Sequence, residues 1–130
     1  MDIMKRINLL LDTQFINEEE HADLLTILEV FANRPGYEIT EKTGGIMITH
    51  MAAAFRRNRV NESINPLSVD ILCEIAASGH FEKASVILEE IKLKINNNIC
   101  KDEEGYFLLH ICTFIEKNSK PQGERREKNI

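Results

Sequence analysis

Asp102-Glu103-Glu104-Gly105-Tyr106-Phe107-Leu108-Leu109-His110-Ile111-Cys112-Thr113-Phe114-Ile115 is the stretch whose reading decides the fold. From Tyr106 to Ile115 every residue except His110 and Thr113 is apolar, so the segment has no wet face and is expected to be a helix packed between other helices. Asp102 offers a carboxylate to cap the first turn, and Glu103 and Glu104 put negative charge where the helix dipole is positive. An imidazole in such a helix must find a hydrogen-bond partner, or sit at a cleft or interface that water or a second chain can reach.

Outward from this segment the apolar residues keep a helical period. Phe81 to about Asn97 repeats Phe81, Ala84, Ile87 or Leu88, Ile91 and Ile95, with Glu89, Glu90, Lys92 and Lys94 on its wet side. Before the Ser78-Gly79 break, Asn65-Pro66 reads as a start, with Asn as the cap and Pro in the first turn of a helix reaching about Ala77. Ile46 to about Arg59 is predicted as a helix with Ile48, Met51, Ala52 and Phe55 inward, following a polar, turn-prone stretch from Tyr37 to Gly45. Asn17 with Glu20 forms a capping-box pattern opening a helix to about Asn33, whose buried face is Leu24, Ile27, Leu28 and Phe31. Ile3, Ile7, Leu10 and Leu11 form one stripe of a first helix. No stretch alternates like a strand. The expected fold is all-α, a compact bundle of five to six helices in a single domain over residues 1–117. The tail, 118–130, has ten polar or charged residues among thirteen and cannot repay its ordering entropy, so disorder is expected there.

At 130 residues with 43% hydrophobic residues the chain can bury one core. A net charge of −5 works against binding a phosphate backbone, so no direct nucleic-acid partner is expected. No basic-then-apolar leader and no bilayer-length apolar run is present, so no membrane partner is expected either. Cys73, Cys100 and Cys112 are odd in number and form no C-x-x-C pair, which suits reduced thiols and a cytoplasmic location.

Of four histidines, His21 lies behind three glutamates and His80 follows a glycine, and both read as solvated or structural. No pair has metal-ligand spacing, and no catalytic residue, cofactor or metal is expected. His50 lies on the predicted 46–59 helix, with Ala54 and Arg57 one and two turns on along the same face.

Ile48-Thr49-His50 with Ala54 and Arg57, then Asn65-Pro66-Leu67, then Asp102 to Ile111 together resemble the PRD, the phosphotransferase-system regulation domain. The resemblance runs from Ile46 to Ile115, and the N-terminal third agrees by helix pattern alone. Its most specific part is the Gly-aromatic-x-x-Leu-His-Ile segment. Members usually carry aspartate directly before the first histidine, where Thr49 stands here. The family's helical bundles occur in bacterial antiterminators and activators of the BglG and LevR types.

The resemblance implies a non-enzymatic regulatory domain. His50 and His110 would accept phosphate from the phosphocarrier HPr or a sugar permease's IIB component, and output in transcriptional control would pass through homodimer packing or a partner. It is similar to the short stand-alone PRD proteins. A phosphoacceptor must be neutral at one nitrogen, reachable, and near a cation that tolerates the product's charge. Arg56 and Arg57 are the cations placed to support His50; for His110 the nearest on its own helix is Lys117, so support must come from elsewhere. The alternative is a phosphorylation-independent helical interaction scaffold.

Overall fold

The computed structural model describes residues 2–119, which form six helices and, among the described residues, no strand. These are α1 (Ile3–Asp12), α2 (Glu18–Ala32), α3 (Glu41–Arg59), α4 (Val69–Ala77), α5 (Phe81–Lys94) and α6 (Lys101–Ser119). Helices α2, α3, α6 and α5 form a closed ring in which each packs on the next. Helix α1 covers the α2–α3 edge and α4 covers the α5–α6 edge. The core fills the ring: Phe31 of α2 meets Phe114 of α6 edge-on across its centre, with ring centroids 5.0 Å apart. On the α3–α6 side Phe55 packs against Phe107.

Helix α2 begins where its predicted cap places it, and α1 gains a cap of its own. Asp2 caps α1 by accepting from the Lys5 amide, and Asn17 and Glu20 form both bonds of the capping box on α2. The predicted faces hold: Leu24, Ile27 and Phe31 are buried with Leu28 partly so, and Ile48, Met51, Ala52 and Phe55 are buried on α3.

Five boundaries differ from the sequence reading. Helix α3 begins at Glu41 rather than Ile46, because Thr40 and Thr43 cap each other reciprocally and Gly44 and Gly45 lie buried inside the helix. Gly44 is required by close approach, since a Cβ there would stand 2.5 Å from Ile39 Cγ2. Helix α4 begins at Val69 rather than Pro66. Ser68 supplies the cap to the Ile71 amide, while the Asn65 carbonyl accepts from the Tyr106 hydroxyl at 2.7 Å and anchors an extended approach. Helix α5 stops at Lys94 instead of near Asn97, because the Asp23 carboxylate takes the backbone and side-chain amides of both Asn96 and Asn97. Helix α6 starts at Lys101, so Asp102 is inside it rather than at its cap, and it continues through Asn118 and Ser119, which the sequence reading assigned to a disordered tail. The rest of that tail, 120–130, lies outside the described residues.

Helix α6 packs on α3, α4 and α5. It is not greasy on every side, however. Phe107, Ile111, Phe114 and Ile115 are buried, whereas Leu108 and Leu109 are partly exposed along with His110. No helix among the described residues is long and apolar enough to cross a membrane.

Candidate functional site

The α3–α6 crossing sets the site. His50, Ala54 and Arg57 follow one another along α3 at i, i+4 and i+7, and Glu103, Tyr106, Phe107 and His110 follow along α6 at similar spacing. Where these faces meet they line a groove of about 390 Å³ containing both imidazoles, Arg57 and Glu103. Tyr106 closes one end through its bond to Asn65, which holds Ile64 on the rim.

Within the groove the rings of His50 and His110 stack, with centroids 4.3 Å apart and planes 16° from parallel. His50 is exposed and His110 half-buried. Neither imidazole hydrogen-bonds to another described residue, and the His110 ring nitrogens are not sealed from solvent. Burial first, and the stacked His50 second, hold His110 down to about 4 from the usual histidine value of 6.5. At neutral pH it is therefore an uncharged imidazole with an available lone pair, partly walled by Tyr106 and Phe107. Phe114, which shares the i+4 position from His110, turns into the core and leaves the groove wall to those two.

The two candidate cations separate. Arg57 reaches the groove, where its Nε and Nη2 donate to the two carboxylate oxygens of Glu103 at 2.9 and 3.1 Å. The Glu103 partnership raises the Arg57 pKa further above its already high value. Arg56, one residue earlier, lies round the helix from His50. Its guanidinium sits over the Phe15 ring and donates to the Phe15 carbonyl at 3.5 Å, beside the α1–α2 turn. Arg56 therefore lies away from the groove, and Arg57 is the cation that shares it with both imidazoles.

Thr49, directly before His50, donates to the Gly45 carbonyl and accepts from Arg6 Nη1. Arg6 in turn forks onto Glu41, so the first helix is tied to α3 just behind His50. His21 bonds Asn8 at 2.9 Å, and His80 bonds Glu116 at 2.6 Å, both away from the groove. Among the described residues no cluster of three or more histidine, cysteine or acidic side chains is arranged to hold a metal ion.

Sequence reasoning missed Glu103 as a site residue. In the sequence it reads as negative charge complementing the helix dipole in the first turn, yet it is 4% exposed and paired with a residue on another helix. Its i−7 relation to His110 matches the i+7 relation of Arg57 to His50, and that symmetry was the available signal.

No protein-family model matches the chain, and no solved structure matches it. It is similar to the Escherichia coli (strain K12) protein described as "Uncharacterized protein YhfY", at 31% identity over 110 residues. The matched region covers 82% of this chain and 88% of that protein, so the likeness takes in the bundle as a whole and not a single helix pair. On that extent and identity, the chain belongs to the YhfY family.

Proposed function

We propose that this chain is a non-enzymatic, PRD-like regulatory domain of the cytoplasm that accepts phosphate on histidine from the sugar phosphotransferase system. The stacked His50–His110 pair, open to a groove that also presents Arg57, is the observation that carries the reading. The chemistry asks for an uncharged imidazole nitrogen that a donor can reach and a hydrogen-bonding cation beside it. His110 supplies the first and Arg57 the second.

In the transfer, the lone pair of the acceptor nitrogen forms the new N–P bond as the donor's bond to phosphorus breaks, and that bonding pair leaves with the donor atom, the imidazole nitrogen in HPr. The proton on the acceptor's other ring nitrogen stays in place. The donor would be phosphorylated HPr or a IIB component. Output would follow from altered homodimer packing or partner binding in transcriptional control.

Incubation with phosphoenolpyruvate, enzyme I and HPr, read by intact mass, tests the reading. The expected result is a gain of one or two phosphoryl masses that is acid-labile and lost in the His50→Ala/His110→Ala double variant. An unchanged mass in a folded protein would refute it and leave the helical scaffold as the function.

A further inference from the structure

Glu103 is the one carboxylate among the described residues lining the groove, and the role inferred for it rests on the phosphoacceptor reading of that groove. It is almost wholly buried, and both of its oxygens are taken by Arg57. A guanidinium carries five N–H groups. This pair uses two, one on Nε and one on Nη2, so three remain on a side chain that already lines the groove with both imidazoles.

When a phosphoryl group arrives, Arg57 either leaves Glu103 for it or serves both. Leaving would strand a buried carboxylate without a partner, a heavy cost that the new bonds must first offset. Serving both costs no existing bond, because the planar fork can hold one anion along its Nε edge and another along its open edge. The side-chain entropy of Arg57 is also spent already, in the free protein. We propose that Glu103 is a positioning residue, fixing the Arg57 guanidinium so that its remaining N–H groups meet a phosphoryl group on His50 or His110. The Arg57–Glu103 pair is close to neutral as a unit, so its help is directional hydrogen bonding at the transferred group and not net positive charge.

The test compares initial rates of phosphoryl uptake for the parent and Glu103→Gln, with phosphorylated HPr and with phosphoramidate as alternative donors. Glu103→Gln keeps the side chain's size but accepts only one of the two bonds, so Arg57 loses its fixed orientation. Uptake is expected to slow by roughly tenfold to a hundredfold, as for other small misplacements of a reacting group, and by the same factor with both donors. Because Arg57→Met alone strands a buried carboxylate, the Arg57 arm is the Arg57→Met/Glu103→Gln double variant. It should be no slower than Glu103→Gln, since an Arg57 that has lost its fixed orientation no longer helps the transfer. Rates are compared at temperatures where circular dichroism shows each variant fully folded.

Uptake by Glu103→Gln at or above the parent rate would overturn the proposal while leaving the phosphoacceptor reading intact, as would slowing with HPr but not with phosphoramidate. A double variant far slower than Glu103→Gln would show that Arg57 works without Glu103, and would overturn it too. No uptake by the folded parent from either donor would overturn the reading of the groove and this inference with it.

Discussion

Protonating His110 is expected to cost the fold about 2 kcal/mol, and to do so within an accessible pH range. Its pKa falls from 6.5 to about 4, first through burial and then through the stacked His50. Each tenfold loss of proton affinity is about 1.4 kcal/mol, so the full depression corresponds to roughly 3 kcal/mol. Water at the ring nitrogens screens part of this, which brings the expectation to about 2 kcal/mol. The folded protein binds the proton more weakly than the unfolded chain, so acid favours unfolding. Nothing is lost above the ordinary histidine value; the loss grows as pH falls from 6.5 and levels off once pH passes below about 4.

Other groups titrate over part of the same range. Glu41 and Glu90 are held below the ordinary carboxylate value, chiefly by bonds to Arg6 and Lys94, and they too lose their contribution as pH falls. The His110 part is therefore read as a difference between the parent and His110→Gln, both followed by urea unfolding at a series of pH values from about 7 to about 4.5. The variant shifts the whole curve by a constant for its altered packing, but its stability should fall less steeply with acid. Against a total stability of about 5–15 kcal/mol, a divergence of about 2 kcal/mol is readily measured. Two parallel curves would refute the reasoning, because His110 would then titrate alike in the folded and unfolded chains.

Asp23→Ala removes a buried carboxylate that accepts four hydrogen bonds from Asn96 and Asn97, and because water can reach those donors the expected loss is about 2–4 kcal/mol; a urea midpoint unchanged from the parent would contradict it. Two helical glycines should respond with opposite sign. Gly44→Ala drives a Cβ into Ile39 and is expected to lower stability by about 1–2 kcal/mol. Gly105→Ala meets only the movable ends of Leu72 and Leu67 at 3.3 and 3.4 Å and is expected to gain up to about 1 kcal/mol from helix propensity, with thermal midpoints of both variants as the check. On the proposed function, phosphorylation adds roughly two negative charges to a chain that is already acidic, and should shift a homodimer's association or arrangement in the same direction as His110→Asp. Sedimentation of the parent, the phosphorylated form and His110→Asp at several concentrations tests this, and three identical monomer profiles would exclude the dimer as the output.

The local parts of this structure could be read from the sequence, and the parts that depend on distant partners could not. The Asn17–Glu20 box and the stripes of α2 and α3 rest on spacings within one helix, and they hold. Gly44-Gly45 reads as a breaker because glycine is a poor helix former, yet Ile39 packs so close to α3 that nothing larger than glycine fits at 44. Asn65-Pro66 carries a good start signal and loses to Ser68, because Tyr106 of α6 claims the Asn65 carbonyl. The same division runs through the site. Arg57 at i+7 from His50 is legible, whereas the pairing of Arg57 with Glu103 joins residues 46 apart and appears only when α3 and α6 cross. Both histidines stand out singly, but nothing local says that their rings stack.

That crossing also bears on how a charge in the groove would reach the surface. Leu109, next to His110 on α6, lines both the histidine groove and a second depression of about 310 Å³ that Ile71 and Ile75 of α4 help to form. Helix α4 is lightly held: Ile75 is its one buried residue, while Val69, Ile71 and Leu72 are exposed. Elements with few buried contacts open at the lowest cost. On the proposed function, a phosphoryl group on His110 must be accommodated by groove walls that differ greatly in stiffness. The Met51 and Ala54 side is continuous with the core, but the Ile64 rim and α4 beyond it are tied down mainly by the Tyr106–Asn65 bond and Ile75. The softer Ile64 side takes up most of the displacement, and α4 beyond it carries exposed apolar side chains. A charge placed at the stacked histidines would therefore act first on a lightly held surface that bears exposed apolar side chains, and self-association is the output we expect phosphorylation to change.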